Sequence, residues 1–251
     1  MSENKLVQLL NQYDHEHTIL ETKKVVKIKP ITTGQMKAIL QYEGDEDPSV
    51  VDRILDDIIN GCVITEGFNV DDLTLQDRFD LLIGIRKVSK GSEYTFNIVC
   101  PMCGVESIQI VDLDKLEKTP YPDSIDRKIK INPNLTISLD YIRRGQQKQA
   151  VELANKIPNL TENQKMSEVA TFMYAFGMIK FETKVGEIKD ISIEDRKEFL
   201  DNLGASSYDP INGWYEKNNY GTKFKHEIVC KAGGKCTFRK EEDIPITGFF
   251  F

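Results

Sequence analysis

Residues 92–104 read SEYTFNIVCPMCG, and the fold turns on how they are read. Tyr94, Phe96 and Ile98 alternate with Thr95 and Asn97, the two-residue period of a β-strand. The strand runs into Cys100-Pro101-Met102-Cys103-Gly104. This is a turn, stiffened by Pro101, with Gly104 free to take the positive φ that a Cys-x-x-Cys turn needs. From Val105 to Val111 a two-residue period resumes through Val105, Ile108 and Ile110. A hairpin over 91–111, with two thiols at its tip, is expected.

A second stretch is built the same way. Phe224 to Cys230 ends in Ile-Val-Cys, as Phe96 to Cys100 does, and Cys236 follows with Gly233-Gly234 in between to bend the chain back. The shared piece is too short to claim duplication, but it puts both Cys pairs at a strand tip. Tetrahedral zinc takes thiolates at about 2.3 Å, which makes Cys100, Cys103, Cys230 and Cys236 its candidate ligands. Four protein sulfurs leave no coordination position for water, so such a zinc is structural. Its apparent binding free energy of roughly 10–16 kcal/mol would dominate a domain whose net stability is about 5–15 kcal/mol. Residues 104–229 lie between the two pairs, so the element is a split zinc ribbon with a helical insertion. The alternatives are two independent pairs without metal, or disulfides. A redox Cys-x-x-Cys would open a helix of a βαβ unit, whereas here a strand pattern follows. Cys62 stands alone in the helical pattern Ile54, Leu55, Ile58, Ile59 and reads as a small buried hydrophobe rather than a nucleophile or ligand.

Working outward, the fold class is α+β. Residues 1–24 form an N-terminal arm, with a short amphipathic helix over 3–13 and a polar break at Tyr13-Asp14-His15-Glu16-His17. Residues 25–90 form an α-rich unit. A strand at Val25–Lys29 ends at Pro30. A helix capped by Thr32 or Thr33 runs to about Glu43, and an acidic loop covers 44–47. One helix runs from Pro48 through Cys62, and another starts at Asp72 or Thr74. The first zinc-ribbon hairpin occupies 91–111. Residues 112–222 hold a linker, a hairpin through Ile125, Ile129, Ile131, Leu135, Ile137 and Leu139, and helices at 142–157, 161–180, from Ser192 to a stop at Gly204, and over 206–219. Residues 223–251 are the second zinc-ribbon half and an aromatic tail.

Several functions are disfavoured. With 33 basic against 40 acidic residues the net charge is −7, whereas a generic nucleic-acid binder is basic. No stretch approaches the roughly 18 apolar residues of a membrane span. The start, MSENKLVQLLNQYDHEH, has no apolar signal core, and an odd number of cysteines argues against a secreted disulfide framework. Folding in a cytoplasm, with use there or in an assembly, is the expectation. There is no Gly-x-Ser-x-Gly, no phosphate-cradling glycine loop and no His-Glu-x-x-His. His15 and His17 could bind metal on a strand but read more plainly as a solvated segment. His226 reads as a solvated residue or one backing the cysteines. An enzyme is not expected, nor a small-molecule substrate or any cofactor beyond structural zinc.

Two features point toward partners. Over 217–240, Lys217, Lys223, Lys225, Lys231, Lys235, Arg239 and Lys240 oppose only Glu227. With Trp214, Tyr215, Tyr220 and Phe224 nearby to stack on bases, a zinc-ribbon nucleic-acid-binding regulator is the alternative function. Balance against acidic neighbours is the plainer account. The tail ends Phe249-Phe250-Phe251, and three consecutive phenylalanines cannot share one face of a strand. Docking on a neighbouring subunit is therefore the expectation, with folding back onto its own domain as the alternative.

Val25-Val26-Lys27-Ile28-Lys29-Pro30-Ile31-Thr32-Thr33 leads into a helix with Gln35-Met36. Then come Asp80-Leu81-Leu82-Ile83-Gly84-Ile85-Arg86, Ser89-Lys90-Gly91 and the strand ending CPMCG. In this order the chain resembles the baseplate hub subunit family of T-even-like contractile-tailed bacteriophages, best over about 25–110. The C-terminal half is similar in general plan only, and the Cys230–Cys236 pair is not carried over. The resemblance implies a non-enzymatic structural or assembly component of the contractile tail baseplate, associated with the hub. It would contact other baseplate or hub proteins, with the tape-measure protein among the candidates. It would sit in the virion tail baseplate, and in the host cytoplasm during assembly. The family has no catalytic residues to transfer.

Overall fold

A computed structural model describes residues 14–40, 48–232, 236–246 and 248–250. The helix over 3–13, the acidic loop 44–47, Gly233-Gly234 and Phe251 lie outside the described residues. In chain order come β1 (His15–Thr18), β2 (Val25–Ile28), α1 (Thr33–Leu40), α2 (Pro48–Cys62), α3 (Leu75–Lys90), β3 (Glu93–Val99), β4 (Glu106–Asp112) and β5 (Lys118–Thr119). They are followed by β6 (Lys128–Asn132), β7 (Leu135–Leu139), α4 (Arg144–Asn155), α5 (Glu162–Gly177), β8 (Met178–Thr183), β9 (Gly186–Ile188), α6 (Ile193–Asp201), α7 (Ala205–Lys217), β10 (Gly221–Thr222), β11 (Lys225–Val229) and β12 (Arg239–Asp243). The class is α+β, with several small antiparallel sheets. No helix among the described residues is long and apolar enough to cross a membrane.

The chain divides into two compact units. The first comprises Met1–Phe68, Phe79–Thr119 and Gly221–Phe251. Helix α2 buries Leu55, Ile58, Ile59 and Cys62, the i, i+3, i+4, i+7 stripe of an amphipathic helix. Leu81, Leu82 and Ile85 of α3 and Ile28 of β2 are buried in the same unit. Strand β2 continues along the end of α2, where the Lys29 N–H donates to the Cys62 carbonyl at 2.9 Å.

His17 departs from the solvated reading. It lies in β1, paired with Val26 of β2, and its Nε2 stands 3.2 Å from the buried Asp80 carboxylate. Gly84, one turn after Asp80, makes the room: a Cβ there would meet His17 Nδ1 at 2.5 Å. Lys118 Nζ at 2.9 Å and Thr222 Oγ1 at 2.7 Å donate to Asp80.

The tail departs from the docking expectation as well. Phe249 and Phe250 are only 2% and 3% exposed. Phe249 packs edge-on against Tyr94 and Phe224, with ring centroids 5.0 and 5.4 Å apart. The Tyr94 hydroxyl donates to the Pro245 carbonyl at 2.9 Å. Strand alternation does not apply, because Gly248 at φ +78° turns the chain and the Phe249 N–H donates to Ile246 O at 2.9 Å.

The second unit comprises Asn69–Arg78 and Pro120–Tyr220. Its sheet has the order β6-β7-β8-β9, antiparallel throughout. Ala150 and Ala154 of α4 pack against Phe172 of α5. Thr161 and Gln164 form a capping box at the start of α5, and Ser192 and Asp195 form one at α6. Trp214 Nε1 donates to Asp126 O at 2.7 Å, and the Tyr141 hydroxyl to Asn218 O at 2.6 Å.

Two boundaries differ from the sequence reading. The helix expected to reach 180 stops at Gly177, and Met178 starts a strand. A Cβ on Gly177 would lie 1.9 Å from the Tyr215 hydroxyl. The Gly177 carbonyl accepts from Asp140 N–H at 2.9 Å, so the chain leaves the helix to join β7. Gly204 does not stop the preceding helix, which ends at Asp201; it sits at the N-cap of α7.

Candidate metal centre

Each hairpin carries one Cys at the same place in its ladder. In β3–β4 the register runs from Glu93↔Asp112 to Val99↔Glu106, and the Cys100 N–H closes it on Val105 O at 3.0 Å. In β11–β12 it runs from Lys225↔Asp243 to Val229↔Arg239, and the Cys230 N–H closes it on Phe238 O at 3.1 Å. The shared Ile-Val-Cys therefore marks one structural position used twice. Beyond Cys100 the chain folds tightly, with the Gly104 N–H on Cys100 O at 2.9 Å and Gly104 at φ +70°. That conformation is strained for any residue with a Cβ, which is why a glycine follows Cys103.

The four sulfurs converge. Cys100 Sγ lies 3.8 Å from Cys236 Sγ, Cys103 Sγ lies 3.6 Å from Cys230 Sγ, and all four fall within 4.8 Å of one another. Four thiolates at about 2.3 Å from a tetrahedral zinc stand about 3.8 Å apart along each edge. A disulfide needs about 2.05 Å, and all four cysteines are free. Donor type, number and spacing thus fit a tetrahedral soft-metal site. Cys100 and Cys230 are buried, Cys236 is half-buried and Cys103 is exposed.

Electrostatics adds a second test of fit. Burial opposes ionisation of Cys100, yet the N–H groups of Met102 and Cys103, with the Cys103 and Cys230 thiols, outweigh it and bring Cys100 down to about 7. At Cys230 the Ala232 N–H favours the thiolate, but burial and the other three sulfurs prevail and push it up to about 12. Cys236 also rises, as burial and the sulfurs of Cys100 and Cys103 outweigh the Phe238 N–H. One negative charge is accommodated readily, whereas further charges repel it unless a cation sits among them.

The hairpins are also braced by residues that the sequence reading missed. Gln109 Nε2 donates to Val229 O at 3.1 Å and to Ser107 Oγ at 3.0 Å, and both side chains are buried. Lys231 Nζ donates to Ile108 O. A signal was present in the sequence. The length of the CPMCG turn pairs Cys100 with Val105 and hence Phe96 with Gln109, and cross-strand partners share a face.

The other candidates lie elsewhere. Cys62 is fully buried, and burial raises its pKa to about 11 despite Gln35 and Lys29. His226 pairs with Glu242 within the β11–β12 ladder. Much of the basic cluster faces acids. Lys223 meets Glu241, Lys225 meets Asp243, Arg239 meets Glu227 and Lys240 meets Glu242, at 2.7–3.8 Å.

The geometry defines an α+β chain whose two hairpin tips meet at a four-thiol cluster. The chain belongs to the T4 bacteriophage base plate protein family, whose model matches residues 11–248. Searches of the curated proteins and of the solved structures give no match. Membership bears out the resemblance at the level of the baseplate. The chain is a structural protein of the phage tail baseplate, and its partners are other baseplate proteins.

Proposed function

We propose that the protein is a non-enzymatic, hub-associated component of a contractile-tail baseplate, and that Cys100, Cys103, Cys230 and Cys236 hold one structural zinc. The convergence of these four sulfurs carries the metal assignment. With every position filled by protein sulfur, the ion has no vacancy for catalysis and supplies cross-linking alone. It fastens the hairpin of 91–111 to the chain of 223–251, making them the two halves of a split zinc ribbon. Residues 112–222 are then the insertion, 25–90 the α-rich unit and 1–24 the arm.

Work by protein contact suits this arrangement. The pairing of Lys223, Lys225, Arg239 and Lys240 with acidic neighbours favours it over phosphate binding, so a nucleic-acid-binding regulator is the weaker account. Other hub or baseplate proteins, with the tape-measure protein among them, are the expected partners, during assembly in the host cytoplasm and in the tail. Fractionation of baseplate intermediates from infected cells tests this. Co-sedimentation of the chain with the hub supports the assignment, and its presence only in free or DNA-bound fractions contradicts it.

A further inference from the structure

The β3–β4 hairpin has an outer edge and an outer face that nothing covers among the described residues. In its ladder Leu113 N–H bonds Ser92 O, and Cys100 N–H bonds Val105 O. Alternation then aims the main-chain groups of residues 94, 96 and 98 at β4, and those of Thr95, Asn97 and Val99 away from it. Arg86 Nη2 occupies the Glu93 carbonyl at 3.0 Å. From Thr95 to Val99 no backbone hydrogen bond reaches this edge among the described residues. At the opposite edge Lys231 donates to Ile108 O, and on the inward face Gln109 donates to Val229 O.

The outer face beside this edge sets Val99, Ile108 and Ile110 among the exposed Thr95 and Asn97, the cross-strand partners of Ile110 and Ile108. Val99 is 66% exposed, Ile108 52% and Ile110 53%, whereas Ser107 and Gln109 point inward. Natural edges are usually blunted by charge. Strand β12, Arg-Lys-Glu-Glu-Asp, is blunted in this way, and the Thr95–Val99 segment carries no charge at all.

Building on the contact reading above, we infer that the Thr95–Val99 edge receives an extended strand from another baseplate protein. Unpaired N–H and C=O groups in strand geometry are satisfied by a strand. Alternate side chains of that strand share the face of Val99, Ile108 and Ile110 and enlarge its apolar surface. Charge sets the ends of the partner segment. Glu93 and Glu106 stand exposed at opposite ends of the hairpin, so the partner carries Lys or Arg flanking its apolar run. A second copy of β3, Glu-Tyr-Thr-Phe-Asn-Ile-Val, has no basic residue to meet them.

Hydrogen exchange of the full chain, free and within isolated baseplate intermediates, tests this. The Thr95, Asn97 and Val99 amides should slow about tenfold or more in the assembly. Asn97→Pro deletes one outward N–H and leaves the β3–β4 ladder intact. It should weaken incorporation about tenfold, with melting temperature and metal content unchanged. The double variant Ile108→Lys/Ile110→Lys, altered only at exposed positions, should do the same. Incorporation without amide protection, or at the wild-type level in both variants, overturns the inference while leaving the contact reading in place. A chain dimer that buries β3 overturns it in favour of a second copy. Absence of the chain from baseplate intermediates overturns both readings together.

Discussion

The side-chain amide of Gln109 donates to the main-chain carbonyl of Val229 at 3.1 Å, 120 positions away in sequence. It ties the hairpin that carries Cys100 to the last residue of β11, one position before Cys230. Gln109→Leu keeps the approximate volume but leaves the carbonyl without this donor. A loss of about 1–3 kcal/mol is expected, read as a lower midpoint in urea. An unchanged midpoint would show that the sulfur cluster alone aligns the hairpins.

The cysteines separate into two classes. Cys103→Ser removes a proposed ligand and should abolish stoichiometric metal, with a loss of several kcal/mol in stability. Cys62→Ala removes one buried sulfur from the α2 stripe and should cost only about 1–2 kcal/mol, with metal retained. Thermal melts with metal analysis of both variants check the contrast. Equal losses would contradict it.

Phe249 and Phe250 belong to the core of their own unit. Phe249→Ala empties the space between Tyr94 and Phe224 and should cost about 3–5 kcal/mol. Urea denaturation of the isolated chain measures this. A melting profile identical to wild type would return the tail to a docking role.

Asp80 sets part of the acid limb. Burial works against its carboxylate, but His17, Lys118 and Thr222 outweigh it and hold the pKa at about 2, below the ordinary 3.8. A depressed pKa contributes stability that is present above the unfolded value and lost as pH falls from about 4 to about 2. Asp80→Asn should therefore be less stable than wild type by about 2 kcal/mol at pH 7, with the gap closing below pH 4. Urea midpoints at pH 7, 4 and 3 give the comparison. A gap independent of pH would remove Asp80 from this role.

The four cysteines were legible because their cues are local: a Cys-x-x-Cys turn with glycine behind it, and Ile-Val-Cys used twice. Helix starts at Pro48 and Ser192 were legible for the same reason, since caps and first turns are set by neighbouring residues. The end of α5 was not. The run Phe172 to Ile179 is apolar at both periods, and only the Tyr215 hydroxyl against Gly177 decides between them. His17 and the tail depended on partners far along the chain: Gly84 and Asp80 for one, Tyr94 and Phe224 for the other. Ile108 and Ile110 form a regular strand pattern, but which side of it faces water follows from the register imposed by the turn.

The central claim is that one zinc ion joins the two hairpin tips through four thiolates. Native mass spectrometry of the full chain, purified without added metal or chelator, tests it most directly when paired with a melt before and after chelation. One zinc per chain is expected, lost on chelation together with a large drop in melting temperature. A folded, metal-free chain whose melting temperature ignores the chelator would contradict the claim.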